Sequence, residues 1–191
     1  MLNISQICEY SFHNPQQNFP GYNSGKNPEA IFAEQFVQVY SDKFVKIHSG
    51  TMKQRSLFIR EMPISGNGIA DLLVLSWSAN PALQEPEHLD FEQLNPTLRA
   101  FEFKLSNWRS GLMQAHRYKY FSHASILVVP KHRLKSIKPK LAMFQTLRVG
   151  LWGFSQETKS ITRLYTPRPK QQQIAKYSQK AIQLAKQAFY S

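Results

Sequence analysis

The chain has little cysteine, little acid and no long apolar run. Its 191 residues include one cysteine, Cys8, which excludes an internal disulfide and a cysteine-based zinc site. The longest fully apolar stretches, such as 126–130, are far too short to cross a bilayer as a helix. The N-terminus has no basic region followed by an apolar stretch, so no secretory signal is predicted. We therefore expect a soluble, cytoplasmic protein with no membrane partner.

Acidic residues are scarce: 12 aspartates and glutamates face 24 lysines and arginines, so the formal net charge is +12. Four of the acids lie in one proline-flanked segment, at Glu85, Glu87, Asp90 and Glu92. Most of the remaining surface should carry a positive field, which attracts phosphate backbones whatever their sequence. Nucleic acid is the partner that this balance predicts. A basic protein tuned for solubility, or one that touches anionic lipid, would show the same balance.

Apolar residues make up 42% of the chain, and the length fits one domain with a real core. Residues 1–28 are polar and predict an irregular N-terminal arm. Residues 29–166 predict the core, interrupted by an acidic insertion at 80–97, and 167–191 predict a C-terminal helix packed on that core. Strands followed by alternating helices and strands predict an α/β fold, with a mixed central sheet flanked by helices.

Hydrophobic periodicity and turn residues place the individual elements. The first helix is expected to begin with Asn27 as its N-cap and Pro28 at its first position, and to run to about Tyr40. Further helices are predicted over 108–122, 141–147 and 171–190, with 80–96 as an exposed loop. Strands are predicted over 57–64, 69–77, 98–105, 125–129, 150–154 and 161–165, the last of them at an edge.

Two apolar strands each contain a lone acid, Asp71 and Glu102, and Lys104 shares a strand face with Glu102. Charges on a nearly apolar strand are costly unless they pair or hold a metal. Carboxylates are hard ligands that suit Mg²⁺ or Mn²⁺, and the backbone carbonyl of Phe103 could supply another oxygen. Such a cation activates water and stabilises charge on phosphate, while Lys104 suits positioning. The alternative is a buried carboxylate–lysine pair without metal.

The helix after this strand contributes Gln114 and Tyr118, which lie four residues apart and therefore share a face. Gly111 lies on the same side and lets that face approach the sheet closely. We expect Gln114 to touch a metal-bound water or a phosphate, and Tyr118 to contact the nucleic-acid backbone. Alternatively, Tyr118 packs in the core and Gln114 is a surface residue.

Three segments resemble, in their order along the chain, the motifs of the PD-(D/E)XK nuclease superfamily in its Gln-x-x-x-Tyr branch. They are Gly68-Ile69-Ala70-Asp71, Phe101-Glu102-Phe103-Lys104 and the segment from Gln114 to Tyr118. The resemblance covers roughly residues 29–154, with Ala70 where the pattern has proline. It implies a restriction-endonuclease-like core and phosphodiester cleavage that depends on Mg²⁺ or Mn²⁺, usually in DNA. The catalytic residues it implies are Asp71, Glu102, Lys104, Gln114 and Tyr118.

Members of this superfamily often carry one more acid on the first helix. Helical geometry puts Glu29 on the side of Phe32 and Phe36, whereas Glu34 falls on the polar side. Glu29 is therefore the predicted further metal ligand, with Glu34 as the alternative. Nucleic-acid contacts are predicted at basic residues on the second helix and in the segment beyond the next strand: Arg109, Arg117, Lys131, Arg133, Lys135 and Lys138.

The function that these residues predict is that of a metal-dependent nuclease, with DNA favoured over RNA as the substrate. A non-catalytic nucleic-acid-binding module that keeps the fold is the first alternative. A protein whose basic face meets an acidic partner is the second. No separate recognition domain is visible, so strict sequence specificity would require loops, a homo-oligomer or a protein partner.

Overall fold

A mixed sheet runs through the molecule, and its strand order is the chain order. The computed structural model describes residues 10–13, 27–47, 54–64, 68–78, 91–171 and 174–190. Its seven strands are β1 (Tyr10–His13), β2 (Gln54–Ile64), β3 (Gly68–Ser78), β4 (Thr97–Phe103), β5 (Ala124–Pro130), β6 (Val149–Ser155) and β7 (Ser160–Tyr165).

Six α-helices accompany the strands in the described residues: α1 (Pro28–Ile47), α2 (Phe91–Leu94), α3 (Trp108–Arg117), α4 (Leu134–Ile137), α5 (Leu141–Leu147) and α6 (Ala175–Tyr190). Short 3₁₀ turns follow α3 and flank α4. Asn27 caps α1, because its Oδ1 accepts a hydrogen bond of 3.0 Å from the Glu29 N–H. No helix of the described residues is both long and apolar enough to cross a membrane.

The directions of the strands decide which ends meet. Strands β2, β3 and β4 form an antiparallel meander. Strands β4, β5 and β6 are parallel, and such neighbours need a crossover, here α3 and then α4–α5. We call the edge where these three strands end, at Phe103, Pro130 and Ser155, the carboxyl edge. The opposite edge, where they begin, is the amino edge.

Each face of the sheet buries its own apolar cluster. On one face, α1 packs Phe32, Phe36 and Tyr40 against strand residues that include Phe101 and Phe103. The ring centroids of Phe36 and Phe103 lie 5.2 Å apart in an edge-to-face contact. On the other face, α3, α5 and α6 cover a second cluster. Strand residues alternate between faces, so Glu102 points toward α3, away from α1.

The predicted α/β class, with a mixed sheet flanked by helices in a single domain, is confirmed in the described residues. The predicted helices and strands recur with shifted ends. Helix α1 continues to Ile47, and β4 ends at Phe103, before Lys104. The predicted helix over 108–122 is α-helical only to Arg117 and then tightens into a 3₁₀ turn, a common way for helices to end.

Two predicted irregular segments contain regular structure. Tyr10–His13, in the predicted N-terminal arm, form β1 and pair in parallel with β2, so the arm is not irregular there. In the predicted exposed loop, Phe91–Leu94 form α2 and Pro96 is buried, so that prediction is wrong for these residues. Short elements such as these depend on tertiary partners that local sequence does not display. The remainder of the arm before residue 27, and residues 79–90 of the insertion, lie outside the described residues.

Candidate active site at the carboxyl edge

Strands β3 and β4 separate at the carboxyl edge, and the predicted acids lie where they part. Leu72 pairs with Phe101 at that end of the register, and Asp71 and Glu102 are the next residues on the two strands. Beyond this pair, a hydrogen bond from a backbone N–H to a side chain replaces the backbone pairing of the two strands. Asp71 Oδ2 accepts a hydrogen bond of 2.7 Å from the N–H of Phe103. The two carboxyls thus lie close together in a notch between the strands.

Tyr118 closes the notch from the side of α3. Its hydroxyl contacts Glu102 Oε2 and also the carbonyl oxygen of Ile69. Burial, followed by the negative charges of Glu102 and Asp71, raises the pKa of the Tyr118 hydroxyl well above its usual range, so the hydroxyl keeps its proton. That single proton can serve one acceptor. The hydroxyl therefore donates at any one time either to the Glu102 carboxyl or to the Ile69 carbonyl.

Lys104 lies between the notch and the start of α1. Its Nζ is 2.9 Å from Glu102 Oε1 and 3.5 Å from Glu29 Oε2. The other oxygen of Glu29 accepts a hydrogen bond of 3.1 Å from the N–H of Leu105. The structure therefore brings Glu29 to the site, whereas Glu34 is exposed on the same helix. In this arrangement the Glu29 carboxylate pairs with Lys104.

The cluster of Glu29, Asp71, Glu102 and Lys104 is electrostatically coupled. Burial, reinforced by the charge of Glu102, raises the pKa of Asp71 to about 7. Burial also raises the pKa of Glu102, against the hydrogen bond from Tyr118 and the charge of Lys104. Burial alone would lower the pKa of Lys104, but its attraction to the acids, Glu102 first, leaves that pKa raised. Lys104 is thus charged at neutral pH, and the two acids in the notch resist joint ionisation.

Helix α3 reaches the cluster because residue 111 is glycine. A Cβ at Gly111 would lie 2.6 Å from Lys104 Cγ and 2.7 Å from Leu127 Cδ1, closer than real contacts allow. Gln114 lies between Gly111 and Tyr118 along this face of the helix. Its Oε1 is buried and has no hydrogen-bond partner among the described residues. An unsatisfied acceptor of this kind costs about 1–3 kcal/mol, so the position suits a ligand or a water.

Tyr118 differs from its expected role. The side chain is 1% exposed, so the expectation that Tyr118 contacts a nucleic-acid backbone is wrong. It packs in the core and holds Glu102 instead. The 3₁₀ turn that follows α3 places it there, and helical spacing alone does not show how deeply the ring is buried.

The donor set fits a hard divalent cation. No three His, Cys, Asp or Glu side chains of the described ranges come together as a metal-binding group. Asp71 and Glu102 supply two carboxyls, and magnesium commonly uses one or two with water in the remaining positions. Glu102 Oε1 is buried, and its neighbour is the Lys104 ammonium at 2.9 Å. A ligand role for the carbonyl of Phe103 stays a prediction.

A basic cleft opens at the same edge. Its volume is about 630 Å³, and its lining includes Phe32, Leu105, Lys131, His132, Arg133 and Glu157. We call it the carboxyl-edge cleft. Leu105 connects it to the acidic cluster through Glu29. Two of the six predicted nucleic-acid contacts, Lys131 and Arg133, therefore lie beside the candidate site.

The other predicted contacts lie outside this lining. Lys135 and Lys138 are exposed on the helical turns that follow the cleft. Arg117 is exposed at the end of α3, and the guanidinium carbon of Arg109 lies 4.7 Å from the centroid of the Trp108 ring. These four residues keep their predicted role only if a nucleic acid extends beyond the cleft.

Sequence reasoning missed Arg60, which supports the start of α1. Arg60 is 4% exposed, and its Nη2 donates a hydrogen bond of 3.2 Å to the carbonyl of Ala30. Ala30 follows Glu29, so this bond helps to fix the helix turn that carries the acid. The signal was present, because Arg60 and Glu61 interrupt the apolar residues of β2.

Comparison with known proteins adds no family to this geometry. No protein-family model matches the chain, and no curated protein matches it. The function is therefore inferred from the residues and from their arrangement.

Proposed function

We propose that the protein is a metal-dependent nuclease that hydrolyses phosphodiester bonds, with DNA as its main substrate. One observation carries the proposal: Asp71 and Glu102 lie next to each other where β3 and β4 part, with the Lys104 ammonium 2.9 Å from Glu102. Ionisable groups in a core strand region are costly unless they pair or hold a metal, and one lysine beside two acids leaves an acid free for a cation. The surrounding protein is strongly basic, which suits a polyanionic substrate.

The fold supports the same proposal. The motif residues lie on β3, on and just after β4, and on α3 with its following turn, in the order of the superfamily pattern. The mixed sheet with helices on both faces agrees with the restriction-endonuclease-like core that the resemblance implies. We infer that the protein has this core and that the long α1 contributes Glu29 to its site.

Asp71, Glu102 and the carbonyl of Phe103 would hold Mg²⁺ or Mn²⁺. When bound, such a cation makes a water more acidic and offsets negative charge at the phosphate. The chain's own groups supply the rest. Tyr118 holds the Glu102 carboxyl in place. Lys104, charged at neutral pH, positions a phosphate or a water and offsets developing charge, which suits it better than work as a general base.

The carboxyl-edge cleft would hold the substrate backbone. Lys131 and Arg133 are exposed in its wall and have charges that phosphates attract. Binding through such contacts weakens steeply as the salt concentration rises, because the counterions released from the phosphates then gain less entropy. Outside the cleft lining, the buried Oε1 of Gln114 can accept a hydrogen bond from a water at the acidic cluster.

A cleavage screen tests the proposal. Single-stranded, duplex and branched DNA and RNA are incubated with the protein in Mg²⁺, in Mn²⁺ and with a chelator. We expect cleavage of at least one DNA substrate with either metal and none with the chelator. Salt-sensitive binding to DNA without cleavage in either metal would instead favour a binding module. Absence of DNA binding at low salt would favour a protein partner for the basic face.

A further inference from the structure

A second concave site lies at the amino edge, at the opposite ends of the strands from the acidic cluster. This cavity has a volume of about 190 Å³, and its lining includes Lys119, His123, Arg148, Arg168, Lys170 and Gln171. We call it the amino-edge cavity. Strand β5 has seven residues and separates the two edges by roughly 20 Å. One small phosphate cannot contact both sites.

Two cations of the amino-edge cavity, Lys119 and Arg148, are held by backbone carbonyls. Lys119 Nζ donates a hydrogen bond of 2.8 Å to the carbonyl of Leu147. Arg148 Nη2 donates one of 3.2 Å to the carbonyl of Arg168. Both side chains are therefore partly ordered before any ligand arrives, which lowers the entropy cost of binding. Arg148 has φ +54°, the left-handed conformation that ends α5 and starts β6.

The walls of the cavity are tied together. The N–H of Lys170 donates a hydrogen bond of 2.9 Å to the carbonyl of His123, which joins the chain after β7 to the start of β5. Pro167 is buried against Gly150, where an added Cβ would lie 3.2 Å from the proline Cδ. The concave shape thus rests on packed backbone.

His123 adds a neutral donor to the four cations. Its Nδ1 accepts a hydrogen bond of 3.0 Å from the N–H of Leu98, so the proton of the neutral ring lies on Nε2. Burial, and then the charge of Arg99, lowers the pKa of this imidazole and favours the neutral ring. The Nε2–H group can donate to an anion.

No aspartate or glutamate is among the residues that line this cavity. Its four cations therefore repel one another without a local counter-charge in the lining. Burial lowers the pKa of Lys119, and the repulsion from Arg148 lowers it further. A compact anion with several acceptor oxygens would relieve it and accept charge-assisted hydrogen bonds.

We propose that the amino-edge cavity is a binding site for a phosphate group, separate from the candidate active site. A phosphate group has the charge, the size and the tetrahedral set of acceptors that these converging donors suit. The group can belong to a nucleic-acid strand or to a small phosphate compound. The site stands on its own geometry and does not depend on the proposed nuclease activity.

The test follows backbone amides by NMR while inorganic phosphate is added to the metal-free protein at about 0.1 M ionic strength, where exposed charges more than about 10 Å apart are largely screened. We expect saturable shifts at 119–124, 148 and 168–171. The double variant Arg168→Gln with Lys170→Gln removes two exposed positive charges but keeps the backbone hydrogen bonds that these residues make. It should weaken phosphate binding by about tenfold or more, which corresponds to losing one hydrogen bond to a charged group.

The matched control is Lys176→Gln with Lys180→Gln, which removes the same charge from the exposed side of α6. Its phosphate affinity should stay within about twofold of the parent's, because screened charges outside the cavity contribute little. Equal losses in both double variants would overturn the proposal, since they would mark a general effect of net charge. Absence of saturable shifts at these amides would overturn it too.

A second titration identifies the source of the phosphate. A short 5′-phosphorylated DNA strand is added to the same metal-free protein. Shifts of the same amides at lower concentrations than inorganic phosphate requires would assign the site to a nucleic-acid strand. Shifts confined to 131–138, with the phosphate response unchanged, would assign it to a small phosphate compound. Because no metal is present and no cleavage is measured, failure here is distinguishable from failure of the nuclease proposal.

Discussion

At the scale of single residues, the candidate site depends on how its protons are shared. The Tyr118 hydroxyl touches two oxygens, from Glu102 and Ile69, and has one proton to donate. Asp71 has a pKa raised to about 7, first by burial. A site of this kind holds protons when no cation is present and releases them when one binds, because metal and proton compete for the same oxygens.

Replacing Tyr118 by phenylalanine should lower the free energy of unfolding. The variant leaves Glu102 and the Ile69 carbonyl in a buried notch without the hydroxyl, at a cost of about 1–3 kcal/mol. Urea denaturation measures this, and Tyr120→Phe is the matched control, because Tyr120 is 37% exposed in the same turn. Equal stability of Tyr118→Phe and the parent would mean that the hydroxyl does not hold the notch.

The stability of the metal-free protein should fall as pH rises through the range in which Asp71 loses its proton. The folded pKa of Asp71, about 7, exceeds its ordinary value of 3.8, so the folded state binds this proton more tightly than the unfolded state. The stabilisation is complete below about pH 4 and lost as pH passes 7. Urea melts in chelator at several pH values measure it.

Asp71→Asn serves as the comparison for this pH dependence, because the amide can still accept the Phe103 hydrogen bond but does not titrate. Relative to this variant, the parent should become less stable as pH rises from about 4 to 7. Mg²⁺ should restore more stability to the parent at the upper end of that range. A parent and variant that respond alike to pH would contradict the raised pKa.

At the scale of elements, two helices and two diverging strands bring the site together. Helix α1 presents Glu29 because Asn27 caps its first turn and Arg60 binds the carbonyl of Ala30. Helix α3 lies against Lys104 because residue 111 is glycine, and the 3₁₀ turn after this helix presents Tyr118. These contacts join segments that are far apart in the chain, so a shift of either helix would displace residues of the candidate site.

Gly111→Ala should reduce cleavage more than it reduces stability. The new methyl would lie 2.6 Å from Lys104 Cγ, so helix or lysine must shift, while alanine recovers about 1 kcal/mol of helix propensity. Misplacement of catalytic groups by about 1 Å can cost roughly a hundredfold in rate. Cleavage rates and urea melts of the variant measure both effects. Ser110→Ala, on the exposed side of α3, should change neither.

Local sequence predicts the elements that carry their own signal. Three such signals can be recognised in the sequence: the Asn27-Pro28 cap, the apolar strands with lone acids, and Gly111 on the face of α3 that approaches the sheet. The α/β class follows from the order of the predicted strands and helices. Strand β1 and helix α2 were not predicted, because each has four residues and depends on packing partners. For Tyr118 the sequence left two alternatives open, contact with a nucleic acid or packing in the core, and the 3₁₀ turn after α3 decides for the core.

At the scale of the whole molecule, charge is distributed unevenly between the two edges of the sheet. The carboxyl edge holds an acidic cluster next to the basic carboxyl-edge cleft, whereas the amino-edge cavity has cations without acids in its lining. The net charge of +12 attracts polyanions in general, and we propose that these two sites decide where their phosphates bind.

Removing two charges from the carboxyl-edge cleft should flatten the salt dependence of DNA binding. Each lost phosphate contact reduces the slope of log K against log salt by about 0.7–0.9, so Lys131→Gln with Arg133→Gln should reduce it by roughly 1.5. Binding isotherms from about 50 to 200 mM salt measure the slope. The Lys176→Gln with Lys180→Gln protein should keep the parental slope, and an equal reduction there would place the DNA elsewhere.

The measurement that tests the central claim most directly compares three proteins on one DNA substrate in Mn²⁺. Glu102→Gln removes a charge from the notch, and Glu34→Gln removes one from the exposed side of α1. We expect the parent and Glu34→Gln to cut at similar rates, and Glu102→Gln to bind the DNA without cutting it. Cleavage by Glu102→Gln at the parental rate would contradict the claim that this carboxyl belongs to the active site.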